Sequence, residues 1–285
     1  MAGSGMKEIK TRIGSVESTK QITKAMELVA SSKLRKAKEK AENSRPYFTS
    51  LYDTLKDISQ NTRGVRSEFL NSREVKNKCY IVIAGDRGLA GGYNSNILKA
   101  VTLDMNNKKE KVITIGKKAT EYFTKREYEV IHSVGSVEDC DYDKIIELTK
   151  KAMELYIAGE VDEVQFAYTK FISPLVQDVQ LIKLLPLSFE DEDKKNVKRG
   201  PRVQYLPSPE VVLEYIIPNY VNGIVYGGLM ESFASEQGAR RTAMESATDS
   251  ANEMIEKLQL IYNRARQAAV TQEITEIVGG AEALK

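Results

Sequence analysis

Hydrophobic positions recur in a seven-residue pattern near the C-terminus. The seam reads Met230, Phe233, Gln237, Arg240, Met244, Ala247, Ala251, Met254, Leu258, Ile261, Ala265, Ala268, Gln272, Thr275, in alternating steps of three and four. No Pro interrupts it, and Gly238 is its only Gly. A repeat sustained over this many heptads predicts a coiled-coil helix. The seam is rich in Ala, so the partner helix must come close. The helix should start at PSPE, with Ser208 as cap, Pro209 in the first turn and Glu210 at the positive dipole end. Pro218 should kink it or break it briefly, and Gly279–Gly280 should stop it near Val278. That is roughly 70 residues, or about 100 Å.

A second helical stretch opens the chain. Lys7–Arg45 contains Gly14 and no Pro. Ile9, Ile13 and Val16 form one apolar stripe, and Ile22, Met26 and Val29 form another, out of register with the first. Such a shift loosens a coiled coil locally. The helix should pass Pro46 with a kink and end near Ser59, a run of roughly 50 residues. Met1–Gly5 (MAGSG) reads as an expression scar ahead of a native start at Met6, outside the fold.

Between these helices the period changes. Lys78–Ala84, Lys111–Gly116, Glu129–Val134, Glu163–Phe171 and Val179–Leu187 read as strands, and Tyr93–Met105, Lys117–Arg126 and Asp141–Ala158 as helices. Alternating strands and helices predict a mostly parallel sheet covered by helices. The expected organisation is a helix over 6–60, a polar linker over 61–77, and an α/β domain over 78–187. A charged loop and foot over 188–208 and a helix over 209–285 complete it.

Charge refines this picture. Lys7–Lys40 carries ten Lys or Arg against four Asp or Glu, while Met230–Lys285 carries six against nine. Pairing the two helices is therefore electrostatically favourable. The whole-chain net charge of +2 argues against a nucleic-acid partner, as does the lack of aromatic residues within the basic run Lys33–Lys40. A solvated face or an acidic protein partner fits that run. Charged residues at 29% and hydrophobic residues at 41% suit a chain with long solvated helices. Cys79 and Cys140 form no metal or disulfide spacing, which suits a reducing compartment. His132, the one histidine, falls in a strand and reads as structural. No apolar run is long enough to span a membrane.

The loop Gly85–Gly92 (GDRGLAGG) sits between a strand and a helix, where glycines can bring backbone amides to an anion. The P-loop needs Lys and then Ser or Thr after its last Gly; here Tyr93 and Asn94 follow. The loop reads as a tight turn, with Asp86 and Arg87 making local or partner contacts. Asp141 and Asp143 lie at a helix start, where capping accounts for them. No catalytic constellation, cofactor site or metal site emerges. Two alternatives stay open on these grounds: a nucleotide-binding α/β enzyme with helical arms, and a generic coiled-coil scaffold. On the heptad, Arg266 and Gln267 fall at b and c, facing away from the seam, and Thr271 falls at g.

Several segments carry a resemblance. Lys20–Lys38 (KQITKAMELVASSKLRKAK), Ala234–Ala251 (ASEQGARRTAMESATDSA) and Leu258–Ala283 (LQLIYNRARQAAVTQEITEIVGGAEA) are similar to the gamma subunit of bacterial F-type ATP synthases. Gly85–Asn94 (GDRGLAGGYN) resembles that family's first-strand loop. The likeness spans Met6 to Lys285. It implies an antiparallel coiled coil of the terminal helices with an inserted Rossmann-like α/β domain. It also implies a non-catalytic rotor shaft that couples ion-driven rotation of a c-ring to the alpha and beta subunits of the catalytic hexamer, with epsilon as a further partner. Arg266, Gln267, Thr271, Lys24 and Met26 would contact beta, and Arg240 would act in torque transmission. Val203, Gln204, Tyr205, Leu206, Asp86 and Arg87 would lie on the c-ring and epsilon side. The resemblance further implies no homo-oligomer, no cofactor, and a peripheral place on the cytoplasmic face of a bacterial plasma membrane. The family's chloroplast cysteine insertion is absent, and no mitochondrial presequence is visible.

Overall fold

A computed structural model describes residues 2–61, 67–187 and 205–282. The order of elements is α1 (Ala2–Asn61), a 3-10 turn (Glu68–Leu70), β1 (Lys78–Ile83), α2 (Tyr93–Asp104), β2 (Lys111–Ile115) and α3 (Lys117–Lys125). Then follow β3 (Glu129–Val134), α4 (Tyr142–Ile157), β4 (Glu163–Phe171), β5 (Gln177–Leu185) and α5 (Pro209–Glu282). The chain divides into two compact units, Ser32–Ala239 and the pair Met1–Ser31 with Arg240–Lys285. The charged loop 190–201, and Val203 and Gln204 of the expected foot, lie outside the described residues.

The larger unit is built on a five-stranded sheet of order β3-β2-β1-β4-β5. β1 to β4 run parallel, and β5 returns antiparallel to β4. β1 occupies the centre, so its residues are buried on both faces, which is why KCYIVI reads as a continuous apolar run. Side chains alternate across it. Tyr80, Val82 and Ala84 face Ile97, Val101 and Phe123 from α2 and α3. Cys79, Ile81 and Ile83 face Ile145, Leu148 and Tyr156 of α4, together with Leu55 and Ile58 of α1. Leu213, Ile217, Val221, Val225 and Leu229 line α5 at every fourth residue and close this second face. Burying five such side chains contributes on the order of 10 kcal/mol.

That stripe explains a departure from expectation. α5 passes Pro218 as one helix. Proline removes one backbone hydrogen bond, but the helix continues, with Ile217 and Val221 buried on either side. Asn219 Nδ2 donates to the Tyr215 carbonyl at 2.9 Å. α1 continues through Pro46, as expected, to Asn61, two residues past the expected end near Ser59. Nor does α5 stop at Gly279–Gly280: it runs through both to Glu282, the last described residue, and neither glycine takes a positive φ. Ala2–Gly5, read as lying outside the fold, form the first turn of α1.

α5 also completes the sheet where β1 ends. Pairing of β1 with β4 stops at Ala167. Two residues on, the buried Thr169 N–H donates to Ser232 Oγ at 2.8 Å, and Ser235 Oγ donates to the Thr169 carbonyl at 3.0 Å. Both serines are fully buried. They supply the partners that a buried backbone requires. Close contact elsewhere depends on glycine. A Cβ at Gly228 would lie 2.4 Å from a Phe166 ring carbon, and one at Gly223 would lie 2.1 Å from Phe48. In this unit α1 and α5 run antiparallel, Phe48 meeting Tyr226 and Tyr52 meeting Tyr220 at ring-centroid distances of 6.5 and 5.8 Å.

The segment ahead of β1 is strapped to the domain rather than loose. Phe69 is buried, Asp162 Oδ2 accepts from the Lys76 and Asn77 amides at 2.9 and 3.0 Å, and Arg73 donates to the Tyr156 carbonyl at 3.1 Å.

Candidate interaction faces of the paired helices

In the smaller unit a row of partly or fully buried positions on α1 runs Met6, Ile9, Ile13, Val16, Lys20, Thr23, Glu27 and Ala30, with half-buried Met26 and Ser31 beside it. The row keeps steps of three and four throughout, so the seam has no register shift. Of the expected second stripe, Ile22 is 61% exposed and Val29 55%, with Leu28 beside them at 60%, while Met26 is half-buried. The seam passes through small or polar residues there. Thr23 and Thr248 hydroxyls meet across it at 2.8 Å, both buried. Buried Glu27 is held by Lys24 Nζ, 3.0 Å from each carboxylate oxygen.

On α5 the expected seam is half right. Met244, Ala251, Leu258 and Ala265 are buried or half-buried, but the alternate positions are Thr248, Ile255, Tyr262 and Ala269. Ala247 is half-buried, while Met254 and Ile261, expected inside, are 45% and 50% exposed. The true inner face lies one residue further along at every other step. Arg266, Gln267 and Thr271 remain exposed under this corrected register. Thr271 Oγ1 bonds the Gln267 carbonyl at 2.9 Å, so the hydroxyl stays against its own helix. Met26 and Arg240 are half-buried, and Lys24 is exposed.

Past Ala269 every described side chain of α5 is exposed. Val270, Ile274, Ile277 and Val278 lie there at helical spacing, 49% to 72% exposed. About eight further residues separate Val270 from Val278, a rise of roughly 12 Å. An apolar stripe with no covering helix marks a surface that another protein covers. Arg266, Gln267 and Thr271 form a polar collar at its base.

The loop Gly85–Gly92 proves to be a closed turn. Asn94 Oδ1 accepts from the Gly85 amide at 2.8 Å, and its Nδ2 donates to the Arg87 carbonyl at 3.1 Å. Leu89 and Gly91 both take positive φ, +60° and +55°. The carboxylate of buried Glu236 lies 2.7 Å from where a Gly85 Cβ would stand. A phosphate in that place would meet the Glu236 carboxyl oxygens. Asp86 accepts from Ser136 Oγ at 3.2 Å and from the Lys117 and Val137 amides at 3.2 and 3.0 Å. It ties the ends of β1, β2 and β3 together, a local role that the sequence allowed.

Four residues ahead of α5, Tyr205 is half-buried and its hydroxyl donates to Asp57. Burial and that neighbouring carboxylate push the phenol up to about 12. Leu206 is 73% exposed, and Val211 and Tyr215 are exposed beyond it. No helix among the described residues is long and apolar enough to cross a membrane. His132 is half-buried on β3.

Comparison with known proteins fits this arrangement. A family model described as ATP synthase matches residues 5–284. The ATP synthase gamma chain of Alkaliphilus metalliredigens is 49% identical over 99% of this chain and 100% of its own length. The sodium-ion-specific ATP synthase gamma chain of Acetobacterium woodii is 49% identical over 98% of each. Among solved structures, the central stalk and c-ring of Tetrahymena thermophila mitochondrial ATP synthase supplies a chain with a TM-score of 0.62 and 25% identity. The match covers 79% of this chain and 99% of that one. A rotor chain of the Euglena gracilis mitochondrial enzyme matches in fold with a TM-score of 0.66 and 17% identity, over 94% and 99% of the two chains. The chain belongs to the ATP synthase gamma-chain family.

Proposed function

We propose that this chain is the central rotor shaft of an F-type ATP synthase, coupling ion-driven c-ring rotation to conformational change in the alpha and beta subunits. The observation that carries this reading is the bare end of α5. The apolar stripe from Val270 to Val278 is long, helical and uncovered, as a shaft tip enclosed by other subunits would be. Ion flow turns the ring and the shaft together. The shaft's asymmetric surface then moves each catalytic subunit in turn between states of different nucleotide affinity. A ligand or partner shifts such an equilibrium only by binding the states unequally, so the faces that touch beta must differ around the axis. They do: the exposed apolar residues Ile22, Leu28 and Val29 lie on α1, and the polar collar lies on α5.

In this reading Arg266, Gln267 and Thr271 contact beta, Lys24 and Met26 face its acidic region, and Arg240 transmits torque. Tyr205 and Leu206 lie on the c-ring side, together with Val203 and Gln204, which fall outside the described residues. Asp86 shapes the loop that presents Arg87 toward epsilon. The chain holds no catalytic site of its own. The Gly85–Gly92 turn supports this, because its internal bonds and the Glu236 carboxylate fill the place an anion would take. Peripheral attachment to the membrane follows from the complex. The coupling ion is proton or sodium.

Reconstitution with alpha and beta subunits tests the reading. One copy per hexamer is expected, with no ATP hydrolysis by the purified chain alone. Arg266→Ala with Gln267→Ala should lower coupled synthesis while leaving the circular dichroism spectrum unchanged. Unaltered rates in the double variant would refute the contact role, and robust hydrolysis by the isolated chain would refute the whole reading.

A further inference from the structure

The larger unit contains a cavity of about 330 Å³ between α1, α5 and β4 that the rotor reading does not use. Four aromatic rings border it: Phe48 and Tyr52 from α1, Tyr168 from β4 and Tyr220 from α5. Tyr52 and Tyr220 lie 5.8 Å apart, centroid to centroid. Tyr52 is 38% exposed, so the cavity is reached from solvent, while the other three rings are half-buried. The volume falls at the lower end of the range for small-ligand sites, about 300–1,000 Å³.

The charge on its wall has one sign. Among the described residues that border the cavity there is no Lys, Arg or His, and Glu231 supplies the one carboxylate. Its Oε2 is buried. Burial first, and the Glu231 carboxylate second, push the Tyr168 phenol up, so the field of that carboxylate reaches the ring. Burial also pushes the Tyr220 phenol up to about 12, with Tyr52 beside it. Both phenols therefore stay neutral at physiological pH. The negative face of an aromatic ring attracts a cation, most strongly where water is excluded. A metal ion does not suit this wall: hard ions take about six or more oxygen ligands, and no described cluster of His, Cys, Asp or Glu could hold one. A small alkylated ammonium suits it, with methyl groups against the rings and its charge balanced by Glu231.

A glycine keeps the space open. Gly227 borders the cavity, and a Cβ there would meet nothing within 4 Å. One at its neighbour Gly228 would lie 2.4 Å from a Phe166 ring carbon. Close packing thus accounts for Gly228 and not for Gly227. Glycine inside a helix is disfavoured relative to alanine; at Gly227 it leaves room for an occupant.

We propose that this cavity binds a small organic cation of the quaternary or methylated ammonium class, seated among Phe48, Tyr52, Tyr168 and Tyr220 with Glu231 as its counter-charge. The inference goes beyond the rotor reading and does not depend on it.

The test titrates the purified full chain, by saturation-transfer NMR, with choline and separately with dimethylbutanol, the neutral isostere in which carbon replaces nitrogen. Choline should bind with a Kd of about 1 mM, and the isostere about tenfold or more weakly. Glu231→Gln should weaken choline binding about tenfold and leave the isostere unchanged, a split that a general loosening of the fold would not give. Gly227→Leu should abolish binding of both probes, since its side chain grows into the open space. Equal affinity for the two probes, or a choline Kd above about 10 mM, would overturn the proposal. So would choline binding left unchanged in either variant. Assembly with alpha and beta subunits is scored independently, so failure of either reading leaves the other standing.

Discussion

The hydroxyl pair in the seam offers a sharp test of how the helices hold together. Thr23 Oγ1 and Thr248 Oγ1 stand 2.8 Å apart, 8% and 7% exposed. Each also reaches a carbonyl of its own helix, Lys20 at 3.0 Å and Met244 at 2.8 Å. Two protons must serve three contacts, so only two bonds form at once. Replacing one threonine by valine keeps the branched shape and removes the cross-helix bond. The remaining hydroxyl can still donate to its own carbonyl, so no group is left wholly unsatisfied. The cost should be that of one ordinary hydrogen bond, about 0.5–1.5 kcal/mol. Replacing both puts two methyls where two hydroxyls met, and a matched apolar pair is close to neutral. Hydrogen exchange of the amides flanking the pair reads local opening directly. Each single variant should exchange roughly 2- to 10-fold faster, converting that energy at tenfold per 1.4 kcal/mol. The double variant should lie within about twofold of the parent, a non-additivity expected of residues in contact. If the two single effects simply multiply in the double variant, the hydroxyls do not act as a pair and the reasoning fails.

The corrected register can be checked at neighbouring sites: Ile255→Ala should destabilise the helix pair by about 2 kcal/mol or more, and Met254→Ala by much less, since Ile255 is 9% exposed and Met254 45%. Thermal melts showing the reverse order would restore the original seam. Gly228→Ala should cost about 1–3 kcal/mol in urea unfolding through its clash with Phe166, whereas Gly227→Ala, whose Cβ meets nothing within 4 Å, should be neutral or slightly stabilising. Burial pushes the Cys79 thiol up to about 12 and that of Cys140 up to about 11, from the ordinary 9.0. Both therefore stay protonated when folded, and a thiol reagent at pH 8 should label neither until denaturant is added. The unfolded chain loses these protons first, so the linked stability is full below pH 9 and is lost as pH rises from there toward 11–12. Rapid labelling of the native chain would contradict that burial.

Much of the α/β domain was legible because its strands are short runs rich in β-branched and aromatic residues, bounded by polar and turn residues. Glu129–Val134 and Glu163–Phe171 match the expected strands residue for residue, and Lys78–Ala84 differs by one residue. β5 begins two residues earlier than expected and ends two earlier. It is the last strand of the sheet and only half-buried at its start, so the apolar alternation that marks the start of a strand is weaker there. The outward position of Arg266 and Gln267 was legible too, because a shift of one heptad position cannot turn residues that far round. What misled the reading of α1 was hydrophobicity itself. Extending Ile9, Ile13 and Val16 in strict heptads leads to Lys20, Thr23 and Glu27, polar residues that no apolar count would select. Ile22 and Val29 drew the stripe away from that seam, although both are more than half exposed.

The amino-acid sequence determined the local conformations and the family of this protein. Periodicity, caps and turn residues act between neighbours, and the helical segments are long enough to be unmistakable. Tertiary structure alone decided which face of each helix is inside. Burial on one side of a helix is settled by the helix it meets, through hydroxyl pairs such as Thr23 with Thr248 and through the closeness that Ala30 and Ala251 allow. It also decided that Pro218 would not break α5, because packing on both sides outweighs one lost hydrogen bond. The bare stripe from Val270 to Val278 is the clearest case: the sequence shows it to be apolar, and only the structure shows that nothing in this chain covers it among the described residues.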